Sequence, residues 1–442
     1  MRCSIWPNLF ERLSFRQCLR KPCETAYPID LKTSLLASAP AWRLRASTKY
    51  VNTSLIMDDT TNKALLPEGL QDLLPPDAAS EAALSARLLA CFHSHGYERV
   101  KPPFIEFEDS LLSGTGAGLS ETSFRLMDPV SRRMMALRSD MTPQVARIAG
   151  TRLARAPRPL RLSYSGDILR VLGSELRSER QFAQVGLELI GASSLHADAE
   201  IILLAVEGLA ALGLKNLTVD LCAPTLVMAI LNGLDLPAES YTALRGALDR
   251  KDDTEIATLA GNAEQVLKGL LAATGTARPA LAALSRLDLP EGAERAASAL
   301  RQVADLVLAA VPDLSVTIDP VERRGFEYQT GVCFTLFVQG VRGELGRGGR
   351  YPLAANGVPS EDAAGCTLYM DSLLRAVPRG EAPKRIFLPY GTTPSEAAEL
   401  RADGWIAVAA LSPSSDDRVE ARRLGCSHFY AKTGIATVQL EE

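Results

Sequence analysis

The side chains best suited to chemistry lie on a strand-like segment, RQFAQVGLELIG, which starts at Arg180. In an extended strand, Gln184 and Glu188 point to the same face, which they share with Phe182 and Gly186. A carboxylate on a mostly apolar strand face is costly unless it meets a cation. The ammonium group of a bound amino acid would be one such cation, and Gln184 would add a hydrogen bond. The alternative is a surface strand with Glu188 in water.

Two further segments carry basic side chains. RSDMTPQVAR follows a predicted strand, so Arg138, Asp140 and Arg147 place three charges around one turn. In ERRGFEYQTG, the guanidinium of Arg324 offers a planar fork that can bind a carboxylate through two parallel bonds, and Gly325 permits the backbone to aim it inward. Each segment is also compatible with an exposed, solvated loop.

A glycine-rich segment, GELGRGGRY, starts at Gly343 and contains four glycines. Phosphate-binding loops of the GxGxxG type belong to βαβ units, but here that pattern is missing and no helix follows directly. We therefore predict a tight turn between strands, where two backbones approach closely.

Composition and charge narrow the classes of function. The 442 residues are sufficient for two or three domains and a sizeable core. Residues 1–56 hold nine Lys/Arg against three Asp/Glu, which is a charge of +6. Because the whole chain has a net charge of −4, the remaining residues carry −10. Because phosphate binding needs a clustered positive field, an acidic body argues against a broad nucleic-acid surface.

The cysteine spacing and the hydropathy exclude other classes. The eight cysteines are scattered without a CxxC pair, which favours reduced thiols in a cytosolic protein over a zinc site or a disulfide scaffold. We therefore predict a cytoplasmic protein without metal or cofactor. No apolar run reaches the roughly 20 residues of a membrane span, so no membrane association is expected.

The order of predicted elements divides the chain into four parts. Residues 1–60 are expected to be disordered or a mis-assigned start, and the alternative for this acid-poor, Ser- and Arg-rich segment is an organellar transit peptide. Residues 61–222 and 313–378 form the core, whose strands follow one another without intervening helices and so predict a largely antiparallel sheet. Residues 223–312 are rich in Ala and Leu and predict a helical insert. Residues 383–442 predict a small C-terminal α/β unit.

In order and spacing, these segments resemble those of histidyl-tRNA synthetases, a class II synthetase family, from about Ala64 to Ala376. LRSDMTPQVAR is similar to the family's LRPEGT segment, and ILRVLGSELRSERQFAQVGLELIG is similar to its motif 2. RRGFEYQTG is similar to RGLDYY, GRGGRY to the GGRYDGL turn, and AAGCTLYMDSLLR to motif 3. The resemblance implies an α+β fold in which an antiparallel sheet is flanked by helices.

The resemblance also implies an amino-acid-binding site. Its implied residues are Gln184, Glu188, Arg324, Tyr328 and Arg138. Among them, Gln184 and Glu188 match contacts to the α-amino group, and Arg324 matches the histidine-specific arginine. Gln329 stands where the family has the second tyrosine of RGLDYY, which is a departure in the part that would recognise imidazole.

The groups for ATP are degenerate by the same comparison. Leu172 stands where motif 2 has a glutamate that contacts adenine, and Ser372 stands where motif 3 has an arginine that clamps the γ-phosphate. An offset of one turn would bring Arg375 to that place instead. Because charge stabilisation at phosphoryl centres depends on fixed cations, we expect adenylate formation to be crippled and no residue to be catalytic.

A paralogous family combines these features, the regulatory subunits of ATP phosphoribosyltransferase. The segment PEGLQDLLPP from Pro67 is similar to that family as well. Membership would imply a non-catalytic subunit that binds the short-form catalytic subunit, is needed for its activity and transmits histidine feedback in the first step of histidine biosynthesis. It would also imply a self-associating dimer that binds no tRNA.

A working histidine–tRNA ligase, or another class II synthetase-like enzyme that activates amino acids, is the alternative. Leu172, Ser372 and the short C-terminal unit count against it.

Overall fold

The computed structural model describes residues 65–439, apart from residues 113, 174–176, 235, 323–328, 354–359, 379, 381–382 and 432–433. The chain divides into two units, Met1–Leu65 and Leu66–Glu442, and the described helices and strands belong to the second. The expectation for residues 1–60 lies outside the described residues.

Helices occur along the whole of the second unit. They are α1 (Asp77–Ser94), α2 (Glu108–Leu111), α3 (Thr142–Thr151), α4 (Leu195–Ala211), α5 (Pro224–Asn232), α6 (Ala238–Arg250), α7 (Asp253–Leu259), α8 (Glu264–Ala272), α9 (Ala277–Leu284), α10 (Glu291–Ala310), α11 (Met370–Ala376), α12 (Pro394–Ala402) and α13 (Asp417–Arg423). None of these described helices combines the length and apolar character that crossing a membrane requires.

The strands also belong to the second unit and lie between its helices in the sequence. They are β1 (Glu98–Arg99), β2 (Ile105–Phe107), β3 (Arg125–Met127), β4 (Met134–Leu137), β5 (Leu160–Leu169), β6 (Gln181–Ile190), β7 (Leu217–Cys222), β8 (Gly275–Thr276), β9 (Ser315–Ile318), β10 (Cys333–Val338), β11 (Gly346–Leu353), β12 (Glu361–Tyr369), β13 (Arg385–Leu388), β14 (Ile406–Ala409), β15 (His428–Ala431) and β16 (Gly434–Thr437).

The largest sheet has nine strands in the order β1-β5-β6-β12-β11-β10-β7-β9-β8. Its centre, from β5 to β7, is antiparallel, whereas β1 pairs with β5 and β9 with β7 in parallel. This arrangement confirms the predicted α+β class with an antiparallel sheet. Separate small sheets have the orders β2-β4-β3 and β14-β13-β15-β16, the second within the C-terminal segment.

One face of the large sheet is covered by α1 and α4. In α1 the buried side chains Leu84, Leu88 and Phe92 recur every four residues, which gives the helix one apolar face. Helix α4 is apolar on most of its surface and packs against α1 and β12. Strand β6 is buried along nearly its whole length because the sheet is covered on both faces at this point.

Residues 223–312 contain α5 to α10 between β7 and β9. In α10, Ala293, Ala297, Leu300 and Val307 form a buried stripe that packs against α4 and α5. This helical segment therefore shares a hydrophobic core with the sheet.

Two expectations about local structure are wrong, and both concern the site. Helix α3 intervenes between β4 and β5, because TPQVARIAGT carries a proline in its first turn, where the missing N–H costs nothing, and a buried apolar face. The glycine-rich segment is largely strand β11 rather than a turn. Close backbone approach is nevertheless the reason for its glycines, since a Cβ at Gly348 would lie 2.3 Å from the Gly365 carbonyl oxygen.

Candidate functional site

A cavity of about 680 Å³ opens on the face of the large sheet opposite α4. Strands β6, β11 and β12 form its floor, and the start of α3 and a 3-10 helix (Gly114–Leu119) form one wall. The polar and charged side chains around it are Thr115, Thr122, Asp140, Thr142, Arg170, Arg177, Glu179, Glu188, Gln329, Arg347, Tyr351, Thr367 and Tyr369. The described residues place no cluster of three metal-ligating side chains here.

Glu188 lies at the bottom of this cavity and is only 1% exposed. Its register partner across the sheet is Gly365 of β12. A Cβ at that position would lie 1.7 Å from Oε2 of Glu188, so only a glycine leaves room for the carboxyl group. The surface position considered for Glu188 in the sequence analysis is therefore wrong, because β6 is buried on both faces.

Two tyrosine hydroxyls hold the carboxyl group of Glu188. Tyr164 of β5 donates to Oε1 at 3.2 Å, and Tyr351 of β11 donates to Oε2 at 2.8 Å. The Tyr164 hydroxyl also lies 2.8 Å from that of Thr367 and 3.2 Å from that of Thr142. These neutral partners fix the position of the carboxyl group without supplying a positive charge.

Burial raises the pKa of Glu188 to about 8, and the hydrogen bonds from neighbouring hydroxyls only partly oppose that shift. None of the ion pairs in the described part of the chain includes this residue. Near neutral pH the group is therefore mostly protonated until a cation enters the cavity. A ligand with an ammonium group would favour the ionised form and gain a charge-assisted hydrogen bond.

Gln184 lies on the same strand but does not line the cavity. Its Oε1 accepts from the backbone N–H of Met141 at 3.2 Å, and its Nε2 donates to Oδ2 of Asp140 at 3.1 Å. Asp140 lines the cavity, and its Oδ1 accepts from the N–H of Thr142 at 2.8 Å. Gln184 thus positions a second carboxylate, Asp140, which the sequence analysis noticed as a charge without assigning it to the site.

Arg138 is buried beside the cavity rather than in its wall. Its Nε donates to the Asp167 carbonyl at 2.6 Å, and its Nη1 donates to the Pro102 carbonyl at 3.3 Å. These bonds tie the end of β4 to β5 and to the segment before β2. Arg138 thus contacts backbone carbonyls and is not part of the cavity lining, and its proposed contact with an amino acid stays a prediction.

Arg324 and Tyr328 lie outside the described residues. The next residue along the chain, Gln329, lines the cavity and is 8% exposed. Its Oε1 has no hydrogen-bond partner among the described residues. A buried carbonyl oxygen of this kind can accept from a ligand N–H group.

Leu172 and Ser372 are the positions where the resemblance implies lost contacts to ATP, and of these two only Leu172 lines the cavity. Leu172 is 76% exposed at the rim, where its isobutyl group offers no hydrogen bond. Ser372 is buried, and its hydroxyl accepts from Nη2 of Arg177 at 3.1 Å and from Nη2 of Arg375 at 3.2 Å. The serine thus serves as an anchor for two arginines of the chain itself.

Those arginines already have carboxylate partners. Nε of Arg177 lies 2.9 Å from Oδ2 of Asp371, with both side chains less than 10% exposed. Arg375 pairs with Asp371 at 3.3 Å and with Glu179 at 3.6 Å. The charges of Arg177 and Arg375 are therefore largely offset within the chain. Arg170, a further arginine of the cavity wall, donates from Nε to the Ser139 carbonyl at 3.3 Å.

The guanidinium of Arg177 also packs against two aromatic rings. Its guanidinium carbon lies 4.5 Å from the ring centre of Phe182 and 4.0 Å from that of Tyr369. The two rings meet edge to face at 5.8 Å. The sequence analysis missed Arg177 because its partners come from β6, β12 and α11, which are distant in sequence.

Known proteins are similar to this chain over most of its length. The family model described as histidyl-tRNA synthetase matches residues 69–373. The ATP phosphoribosyltransferase regulatory subunit of Rhodospirillum centenum is 54% identical over 376 residues, which cover 85% of this chain and 97% of that protein. The corresponding protein of Paramagnetospirillum magneticum is 50% identical, with 87% and 100% covered.

A solved structure shows the same fold. It is an ATP phosphoribosyltransferase regulatory subunit/histidyl-tRNA synthetase from Bacillus halodurans, with a TM-score of 0.70 and 24% identity, covering 81% of this chain and 95% of the other. The class II synthetase-like fold expected from the sequence is therefore confirmed. The chain belongs to the histidyl-tRNA synthetase-like family of ATP phosphoribosyltransferase regulatory subunits.

Proposed function

We propose that this chain is the regulatory, non-catalytic subunit of an ATP phosphoribosyltransferase in the first step of histidine biosynthesis. In this role it binds the short-form catalytic subunit, is required for its activity and transmits feedback by histidine. The observation that carries the proposal is the uneven charge of the cavity. Glu188 is buried without a cation partner among the described residues, whereas Arg177 is paired with Asp371. The names of the relatives support the same role.

The ligand that fits the acidic end is an amino acid. Its ammonium group would lie between Glu188 and Asp140, which both line the cavity. The carboxylate of the ligand would pair with Arg324, in keeping with the resemblance, and Tyr328 and Gln329 would face its side chain. Histidine regulates only if it binds one state of the assembly better than another. The cavity is our proposed place for that difference.

Self-association as a dimer is a second part of the proposal. The sheet β2-β4-β3 exposes Leu126, Met127 and Met134, and Val130 in its hairpin is 90% exposed. An exposed apolar patch of this kind is typical of a protein–protein interface. Light scattering after size exclusion should give a dimer for the native protein and a monomer for Met127→Glu. A monomeric native protein would contradict this part.

The proposal places the protein in the cytoplasm, in keeping with its scattered cysteines, and includes no tRNA partner, in keeping with the acidic body.

The direct test mixes the purified chain with a short-form ATP phosphoribosyltransferase catalytic subunit and measures phosphoribosyl-ATP formation with and without histidine. We expect co-elution, stimulation and inhibition by histidine. Glu188→Gln should lose the response to histidine, and the matched control Glu399→Gln, an exposed residue of α12, should keep it. Neither stimulation nor co-elution would reject the proposal. Histidine-dependent ATP–pyrophosphate exchange would instead favour a histidine–tRNA ligase.

A further inference from the structure

Helices α1 and α4 approach closely near the end of α1. A Cβ placed at Gly208 of α4 would lie 3.1 Å from Cδ2 of Leu88 and 3.3 Å from Cε1 of Phe92. Both of these α1 side chains are fully buried. The small residue at 208 therefore brings the last turns of α1 within side-chain reach of Glu207, its neighbour in α4.

The chain reversal after α1 holds His95 in place. Gly96 adopts a φ of +85°, and the N–H groups of His95 and Tyr97 both donate to the Phe92 carbonyl at 3.1 Å. The buried Tyr97 hydroxyl then donates to Oε1 of Glu200 on α4 at 2.9 Å. His95 is thus fixed between two anchored residues, although its own ring is partly exposed.

Three side chains with metal-ligating atoms meet at this junction. Cys91 and His95 are four residues apart, one turn along the same face of α1 and its C-terminal end. Nε2 of His95 lies 3.2 Å from Oε1 of Glu207. One ligand atom from each of Cys91, His95 and Glu207 lies within 4.8 Å of the other two. None of the three lines the cavity described above.

We propose that Cys91, His95 and Glu207 form a binding site for a divalent transition metal of the zinc class. A thiolate, an imidazole and a carboxylate are the three kinds of donor that Zn²⁺ takes in proteins. In a tetrahedral site with Zn–N and Zn–O bonds of about 2.0 Å, those two ligand atoms are about 3.3 Å apart, close to the spacing of His95 and Glu207. Three protein ligands leave the fourth position for water or another ligand.

An ordinary surface ion pair is the simpler explanation for His95 and Glu207. Their side chains are 36% and 41% exposed, and an exposed pair of this kind contributes little to stability because water screens it. An ion pair does not require a thiol, however, whereas Cys91 adds a third kind of metal-ligating atom within 4.8 Å of the other two. Cys91 therefore distinguishes the two explanations, because its substitution should weaken metal binding and should leave an ion pair intact.

The test uses the full, tag-free chain, stripped with a chelator and titrated with Zn²⁺ against a chromophoric competitor. We expect one Zn²⁺ per chain, and Cys91→Ser or His95→Ala should weaken it at least about tenfold, because even changes outside a coordination shell cost about 10–100-fold. Glu207→Gln should also weaken it. His93→Ala is the matched control, since His93 is an exposed histidine of the same helix outside the cluster.

The absorption spectrum of bound Co²⁺ provides a second measurement, which reports the kind of ligand and not the affinity. Co²⁺ bound to the site should show a thiolate-to-cobalt charge-transfer band, which Cys91→Ser removes and His93→Ala keeps. A variant with Cys3, Cys18 and Cys23 replaced by Ser should keep the band, which separates the site from the N-terminal cysteines. Equal Zn²⁺ affinity in the native protein and in Cys91→Ser, or a band that survives that substitution, would overturn the proposal.

Discussion

The two ends of the cavity differ in how a buried ionisable side chain is accommodated. At the end proposed to bind an amino acid (the amino-acid end), Glu188 is buried under two tyrosine hydroxyls, and burial raises its pKa to about 8. At the other end, which the resemblance assigns to the nucleotide (the nucleotide end), Arg177 is buried against Asp371 and between two aromatic rings. Among the described residues, Glu188 has no cation partner, so a ligand can supply one. Arg177 already has a carboxylate partner and therefore gains less from an anionic ligand.

On the proposed function, this difference would allow a synthetase-like pocket to bind histidine without activating it. Transition states of adenylyl transfer need cations that are preorganised and available to phosphate. Arginines paired within the chain lose part of their field to the carboxylates beside them. A buried acid with a raised pKa remains responsive, because a cation changes its ionisation.

Breaking the nucleotide end should cost the most stability. Asp371→Ala leaves the buried Arg177 guanidinium without its carboxylate, so we expect a loss of about 3–5 kcal/mol in the free energy of unfolding. Denaturant unfolding measures it, with the exposed α10 residue Asp305→Ala as the control. Equal stability of the two variants would show that the pair does not hold this end together.

Removing the acid at the other end should affect binding instead. Glu188→Ala is expected to weaken histidine binding by about 2–5 kcal/mol, because the ligand's buried ammonium group loses one of its two proposed carboxylate partners. Titration calorimetry measures it, and Arg324→Ala should give a loss of similar size. Unchanged affinity in Glu188→Ala would mean that histidine binds elsewhere.

Filling the space beside Glu188 should disturb both properties moderately. Gly365→Ala puts a Cβ 1.7 Å from Oε2, so the carboxyl group has to leave its tyrosine partners. Overpacking of this kind costs about 1–3 kcal/mol in stability. Thermal unfolding and calorimetry should show a less stable protein with weaker histidine binding. A variant that binds histidine as well as the native protein would refute the need for glycine.

The smallest effect concerns the rebuilding of the nucleotide end. Leu172→Glu restores the residue type expected for contact with adenine, yet we expect no gain in histidine-dependent ATP–pyrophosphate exchange. Arg177 and Arg375 stay paired with Asp371, so neither guanidinium is available to the phosphates. Exchange above the native background would show that one lost side chain, rather than the paired arginines, blocks activation.

The sequence was sufficient to predict the central strand of the site. Side chains alternate along β6, so Gln184 and Glu188 lie on one face regardless of the rest of the fold. It was not sufficient for their environment. The hydroxyls on Glu188 come from β5 and β11, and the space for its carboxyl group comes from Gly365 on β12. These partners depend on strand order, which local patterns do not encode.

The same limit applies to helices and to metal ligands. Helix α3 was missed because RSDMTPQVAR was interpreted by its charges, although its proline and apolar residues were typical of a helix start. The absence of a CxxC pair led to a prediction without metal, whereas the proposed zinc site joins Cys91 and His95 to Glu207 from a different helix. Only the packing of α1 on α4 brings those residues together.

The most direct test of the account is the number of protons released when histidine binds at pH 7. Because the pKa of Glu188 is about 8 in the protein without ligand, the group is mostly protonated at pH 7 and must ionise to pair with an ammonium group. Affinity should therefore rise with pH up to about 8. Calorimetry in buffers of different ionisation enthalpy should show release of close to one proton for the native protein. Full-strength binding without proton release, or equal release in Glu188→Gln, would contradict the account.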